Sequence, residues 1–176
     1  FERFIKVAHQ YKQSIEKAMG KNGLSYFPPT WELAGTHWGN TETLWPKEIF
    51  TKSDPRISGL SNFLRKDFGG GYVEGTIRWF GYKEDVIHPY LGAYTTMADL
   101  IMGNDEQVVQ DFYWYLLHTT AANAFPEGIF YKRKFAWSNT IPHVTGASNY
   151  AFMFRHMLVH EEGDELHLLK AVPDWW

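Results

Sequence analysis

Three short stretches of this chain combine residue types that can do chemistry. The first is Ala124-Phe125-Pro126-Glu127-Gly128, followed by Trp137-Ser138 and Ile141-Pro142-His143. It sets one carboxylate in a loop between two helical patterns, with a tryptophan and a histidine close behind. Such a carboxylate can take a proton from water, and with a second carboxyl group it can hydrolyse a glycosidic bond. A lone loop glutamate is usually just solvated; Pro126 and Gly128 on either side, and the Trp and His nearby, favour a positioned one.

The second stretch is His37-Trp38-Gly39-Asn40-Thr41-Glu42, continuing to Trp45-Pro46. Two indoles around an amide and a carboxylate can form a sugar subsite. The rings stack on apolar C–H faces, while Asn40 and Glu42 hydrogen-bond the hydroxyls. The third is Gly71-Tyr72-Val73-Glu74-Gly75 with Arg78-Trp79 after it. Here Glu74 either joins Trp79 in a polar site or is neutralised by Arg78. Aromatic content sharpens the question: eight Trp, ten Tyr and thirteen Phe make up 18% of the chain. That is either a large aromatic core or a groove of stacking platforms, and the Gly-, Pro- and Asn-rich surroundings of the tryptophans favour the groove.

Other chemistries find little support. His156 and His160 have the helical spacing of a zinc pair, but Met-Leu-Val between them lacks a metalloprotease's glutamate, so they read as structural. There is no cysteine, no glycine-rich phosphate loop and no nucleophile elbow, and no cofactor or metal is expected. A net charge of −3 speaks against a nucleic-acid partner. No apolar run reaches the roughly 18 residues that would span a membrane.

The elements that must position these residues are mostly helical. Phe4, Ala8, Tyr11, Ile15 and Ala18 predict a one-faced helix over 2–19. Residues 24–56 read as loop, 57–67 as a helix and 72–80 as a short strand. Leu91, Tyr94, Ala98 and Ile101 predict a helix that Gly103 stops, and Asn104 with Gln107 predicts a capping box for the next. Val108, Phe112, Tyr115 and Leu116 form that second helix's stripe, which makes an αα-hairpin. Residues 123–145 read as loop, 146–157 as a helix apolar nearly all round, and 158–169 as a β-hairpin about Gly163. The buried helix faces exceed the helices available to cover them. The chain also opens without Met, inside a helix. Both features lead us to expect a single domain over 1–176 that is part of a larger one and needs its remainder or another chain.

The stretch Ile141-Pro142-His143-Val144-Thr145-Gly146-Ala147-Ser148-Asn149-Tyr150, then Arg155-His156-Met157-Leu158-Val159, resembles the last inner helix of the six-hairpin, or (α/α)6-toroid, glycosidases. Glu165–Leu169 and Val172-Pro173-Asp174-Trp175-Trp176 resemble the strand and exit segment that follow, and the likeness covers about residues 119–176. It implies the C-terminal part of a toroid of helical hairpins ending in a β-hairpin and exit segment over 158–176. It also implies an inverting glycoside hydrolase, secreted or periplasmic, with a carbohydrate as its partner. Glucoamylase-like and rhamnosidase-like members carry a catalytic-base Glu between the last two long helices, where Glu127 stands. Rhamnosidase-like ones have a His at the start of the last helix, where His143 stands. Gly128 follows Glu127 in place of the glucoamylases' Gln, so the sugar stays open, and the general acid is expected upstream of Phe1. Trp38, Asn40, Glu42, Trp45, Glu74, Trp79 and Trp137 are then candidate substrate contacts. Two alternatives stand beside this reading. One is a polysaccharide lyase using Tyr and His, for which Lys132-Arg133-Lys134 is the dense basic patch. The other is a non-catalytic carbohydrate-binding domain.

Overall fold

The structure, a computed structural model, describes residues 1–27, 43–45, 48–67, 71–78, 86–137 and 140–176. Trp38, Asn40, Glu42 and Trp79 lie outside these residues, as do Trp31, Pro46 and Ser138.

Helix α1 runs Glu2–Asn22, longer than its periodicity predicted. Gly20 does not end it, because a helical glycine only weakens a helix, by about 1 kcal/mol. Gly23 ends it by entering the left-handed region at φ 63°, while Leu24 N–H donates to the Met19 carbonyl. Helix α2, Pro55–Lys66, starts on Asp54, whose carboxylate accepts from the Arg56 amide at 3.0 Å, and Pro55 sits at the first helical position.

The expected αα-hairpin forms: α3, Pro89–Met102, and α4, Asp105–Leu117, turn at Gly103 with φ 83°. The capping box does not. Asn104 makes no side-chain cap bond, and instead donates from Nδ2 to Asp99 at 2.8 Å. Gln107 donates to Asp111 at 3.0 Å. Two buried carboxylates outcompete the helix start for these amides. Leu116 is also exposed, leaving Val108, Phe112 and Tyr115 as the buried stripe of α4.

Helix α5, Val144–Leu158, follows. Contrary to expectation it is not buried all round: Phe152 is 42% exposed, and Met153 and Met157 carry its core face. The helix enclosed on all sides is α3. Its small residues Gly92, Ala93, Thr95, Thr96 and Ala98 are buried and allow neighbours to approach closely. One face of α3, through Leu91 and Ala98, meets Ile15 and Met19 of α1 and Ile57, Leu60 and Leu64 of α2. The other, through Ala93, Met97 and Leu100, meets α4 and the two methionines of α5.

Between α4 and α5, where the sequence reads as loop, two short strands form and pair with a third that precedes α3. Strand β1, Val86–Ile87, pairs antiparallel with β2, Gly128–Phe130, which pairs with β3, Phe135–Trp137. Strands of two or three residues carry too little alternation to be read. Of the predicted strand at 72–80 the structure describes 72–78, which hold a tight turn, with Val73 bridging Thr76 and Glu74 and Gly75 at positive φ, and then a single bridge from Arg78 to Ile87. The last hairpin, β4 Val159–Glu162 and β5 Glu165–Leu168, turns at Gly163 as expected. Helices make up about half of the described residues, with small antiparallel sheets toward the C-terminus.

Candidate functional site

Helices α3 and α5 start at the same end of the molecule. Tyr90, in the first turn of α3, meets the ring of His143 at 4.9 Å and accepts on its backbone carbonyl from Asn149 at 2.9 Å. Further along, Met97 and Phe152 line one cleft. The loop before α5 is drawn to this end by two backbone bonds: His143 N–H to the Phe125 carbonyl at 2.7 Å, and Glu127 N–H to Thr140 at 3.3 Å. These bonds bring Glu127 and His143 together although sixteen positions separate them.

His143 is the N-cap of α5. Its Nδ1 accepts from the Gly146 amide at 3.1 Å, which leaves Nε2 to carry the proton of the neutral ring. Glu127 is half-buried, two residues along from the Phe125 carbonyl that accepts from the His143 amide. Its charge reaches Tyr90, whose phenol is pushed above its ordinary value by burial and then by Glu127 and Tyr94. Trp137, at the end of β3, lies 5.3 Å ring to ring from His88. Neither His88 nor Tyr90 stands among the candidate residues that the sequence suggests.

Next to this cluster, between α3 and α5, lies a cleft of about 230 Å³. Trp45, Ala93, Tyr94, Met97, Ser148, Asn149 and Phe152 line it. Trp45 stands 5.2 Å from Phe152 and edge-on to His156. The cleft is apolar with a few hydroxyl and amide groups, the lining that an oriented small ligand needs.

Glu74 is elsewhere. It pairs with Lys134 at 2.5 Å, and its backbone carbonyl accepts from His118 at 2.8 Å. Lys134 belongs to the turn of the β2–β3 hairpin, whereas Glu127 adjoins the open end of that hairpin. The structure thus joins Glu127, His143 and Trp137, sets Trp45 on the adjoining cleft, and separates Glu74. The basic patch is engaged in the same turn, with Arg133 lying over Phe130 and Phe135 at 4.1 and 4.7 Å.

A larger hollow, about 430 Å³, opens beside Ser61, Arg65, Asp99, Asn104 and Gln107. Glu127 does not line it, and Arg65 and Asp99 in its wall are paired with each other. Among the described residues no group of three or more His, Cys, Asp or Glu is arranged to hold a metal ion, and no helix is long and apolar enough to cross a membrane.

No family model matches this chain, and no curated protein or solved structure is significantly similar to it.

Proposed function

We propose that this chain is part of the catalytic domain of an inverting glycoside hydrolase, with Glu127 as its general base. The observation that carries the reading is the meeting of Glu127, His143, Tyr90 and Trp137 at the shared N-terminal end of α3 and α5, beside the Trp45 cleft. A half-buried carboxylate among aromatic faces can polarise a water toward an anomeric carbon while a ring stacks on the sugar. The Nε2–H of His143 then serves to orient Glu127 or a substrate hydroxyl.

Further support comes from the helices. Two helices that start at one end, with a hairpin partner behind α3, are what an inner layer of a helical-hairpin toroid requires. Exposed Phe4, Val7, Leu117, Leu166, Leu168 and Leu169 call for cover from the remainder of such a domain or from another chain. Elimination chemistry is less well served. Burial and neighbouring charge hold the Tyr90 phenol in its protonated form, and the Lys132–Lys134 patch is engaged by Glu74 and by the rings of its own hairpin.

The test uses the complete protein that contains this chain, with a panel of neutral oligosaccharides. Proton NMR should show the product with the anomeric configuration opposite to the substrate's. Glu127→Gln should lower kcat by about 10²–10⁴-fold with binding retained. Undiminished turnover by that variant would remove Glu127 from the role, and an ultraviolet-absorbing unsaturated product would replace hydrolysis with elimination.

A further inference from the structure

His88 is not among the groups that the proposed chemistry uses, yet Trp137, Tyr90 and the Glu127–Gly128 backbone all pack against it. Its backbone is fixed on both sides. The amide donates to the Ile77 carbonyl at 3.1 Å, and its own carbonyl accepts from Leu91 and Gly92 in the first turn of α3. Its side chain is fully buried at 0% exposure. The imidazole meets Trp137 edge-on at 5.3 Å and Tyr90 at 5.9 Å. It also faces the backbone of Glu127, which favours its protonated form, although burial dominates and pushes the ring down to about 4. The ring is therefore neutral near neutral pH, as a group wedged against an apolar indole must be.

Gly128 explains how the ring gets in. A β-carbon there would stand 2.8 Å from His88 Cε1 and 3.0 Å from Nε2. As the first residue of β2 it has no positive φ that would demand glycine. What excludes a side chain at position 128 is the imidazole. Glu127-Gly128 thus packs directly against the imidazole, and the peptide that aims the Glu127 carboxylate rests on that ring.

We infer that His88 is the positioning residue of this site, fixing the Glu127–Gly128 peptide, and so the Glu127 carboxylate, relative to Trp137 and Tyr90. It touches no substrate and acts through Glu127. The inference rests on the proposed role of Glu127, and it makes Gly128 as necessary as His88. A misplacement of about 1 Å in a reacting group costs on the order of 10²-fold in rate, and that is the scale expected here.

The experiment compares Gly128→Ala, His88→Phe and His88→Gln in the complete protein. Gly128→Ala pushes the ring away without changing its chemistry. His88→Phe keeps an aromatic ring but removes the donor, and His88→Gln restores an N–H. Positioning predicts that the first two lose about 10²-fold in kcat with KM changed less than about threefold, and that His88→Gln recovers part of the loss. Carbon-13 NMR of the Glu127 carboxyl should show a moved signal in the first two variants, whether or not turnover is measured. Gly128→Ala with unchanged kcat and an unmoved Glu127 signal would overturn the inference, as would loss confined to KM. If Glu127→Gln is fully active, the proposed function fails instead, and the carboxyl signal alone then decides whether His88 sets that side chain.

Discussion

Two polar clusters flank α3, and they are built on opposite plans. On one side, Arg65 reaches from α2 to Asp99 on α3 and Asp111 on α4, with Nη2 at 2.6 Å from each carboxylate. Ser61, Asn104, Thr96 and Gln107 supply the remaining donors to these two aspartates. Asp99 is 1% exposed, and every oxygen of both carboxylates has its partners inside the protein. On the other side, Glu127, His143, Tyr90 and Trp137 are half-buried and held mainly by ring contacts and backbone bonds, with Asn149 linking Tyr90 to the neighbouring cleft. The first cluster has no capacity left for a ligand and ties three helices together. The second keeps a carboxylate and aromatic faces within reach of one. Buried charge whose partners are all internal is architecture; a half-buried carboxylate among aromatic rings is the one our proposal gives to chemistry.

The largest expected effect breaks this comparison cleanly. Arg65→Met leaves two carboxylates buried without their cation, and breaking a buried pair from one side costs about 3–5 kcal/mol. Burial lowers the guanidinium's tendency to hold its proton, but Tyr72, Asp111 and Asp99 outweigh it, so Arg65 is charged at any ordinary pH. Urea unfolding should show this loss for Arg65→Met and almost none for Glu127→Gln. Turnover should stand in the reverse order among variants that remain folded. Equal destabilisation by both would mean that Glu127 is also structural and that the contrast fails.

A smaller effect comes with acid. Burial lowers His88 and His156 to about 4, Arg155 and His160 adding to the shift at His156, and burial lowers His160 too. The unfolded chain holds these groups near the ordinary value of about 6.5, so between that pH and about 4 it binds more protons than the native state does. Stability from these neutral rings is therefore complete above about pH 6.5 and falls as the pH drops through the window. The slope is up to about 1.4 kcal/mol per pH unit for a fully linked proton. Urea midpoints at about pH 7 and about pH 5 measure it, and His156→Gln should flatten it. A midpoint independent of pH over that range would refute the linkage.

What was legible in the sequence was local. Gly103 stops α3 because a single left-handed residue suffices, and Asp54-Pro55 opens α2 for an equally local reason. Glu127 could be singled out because Pro, Gly, Trp and His stand around it within sixteen residues. The Arg65 brace could not, since its members lie 34 and 46 positions apart along the chain. Its one trace was Asp99 standing between Ala98 and Leu100, on a helix otherwise free of charge. His88 escaped for the same reason: its importance comes from Gly128, forty positions later, leaving room for its ring. The burial of α5 was misjudged because apolar content shows which residues prefer cover, and not which helix supplies it.

The smallest expected effect tests the brace at its rim. In sequence, Asn104 reads as the cap of α4. In the structure its Nδ2 donates to Asp99 at 2.8 Å and makes no cap bond. The two roles make opposite predictions for one substitution. As a cap, aspartate serves as well as asparagine, and its charge favours the positive start of the helix, so Asn104→Asp should be neutral or slightly stabilising. As a donor to Asp99, asparagine cannot be replaced by aspartate, which loses the N–H and sets a second carboxylate against a buried one. Asn104→Ala should then cost about 1 kcal/mol, the loss of one hydrogen bond to a charged acceptor at an exposed residue. Asn104→Asp should cost about 1 kcal/mol more, and added salt should recover part of the difference, because position 104 is open to solvent. Urea unfolding of the two variants at about pH 7 orders them. Asn104→Asp as stable as the natural chain would return Asn104 to the helix start and leave Asp99 to Ser61 and Arg65 alone.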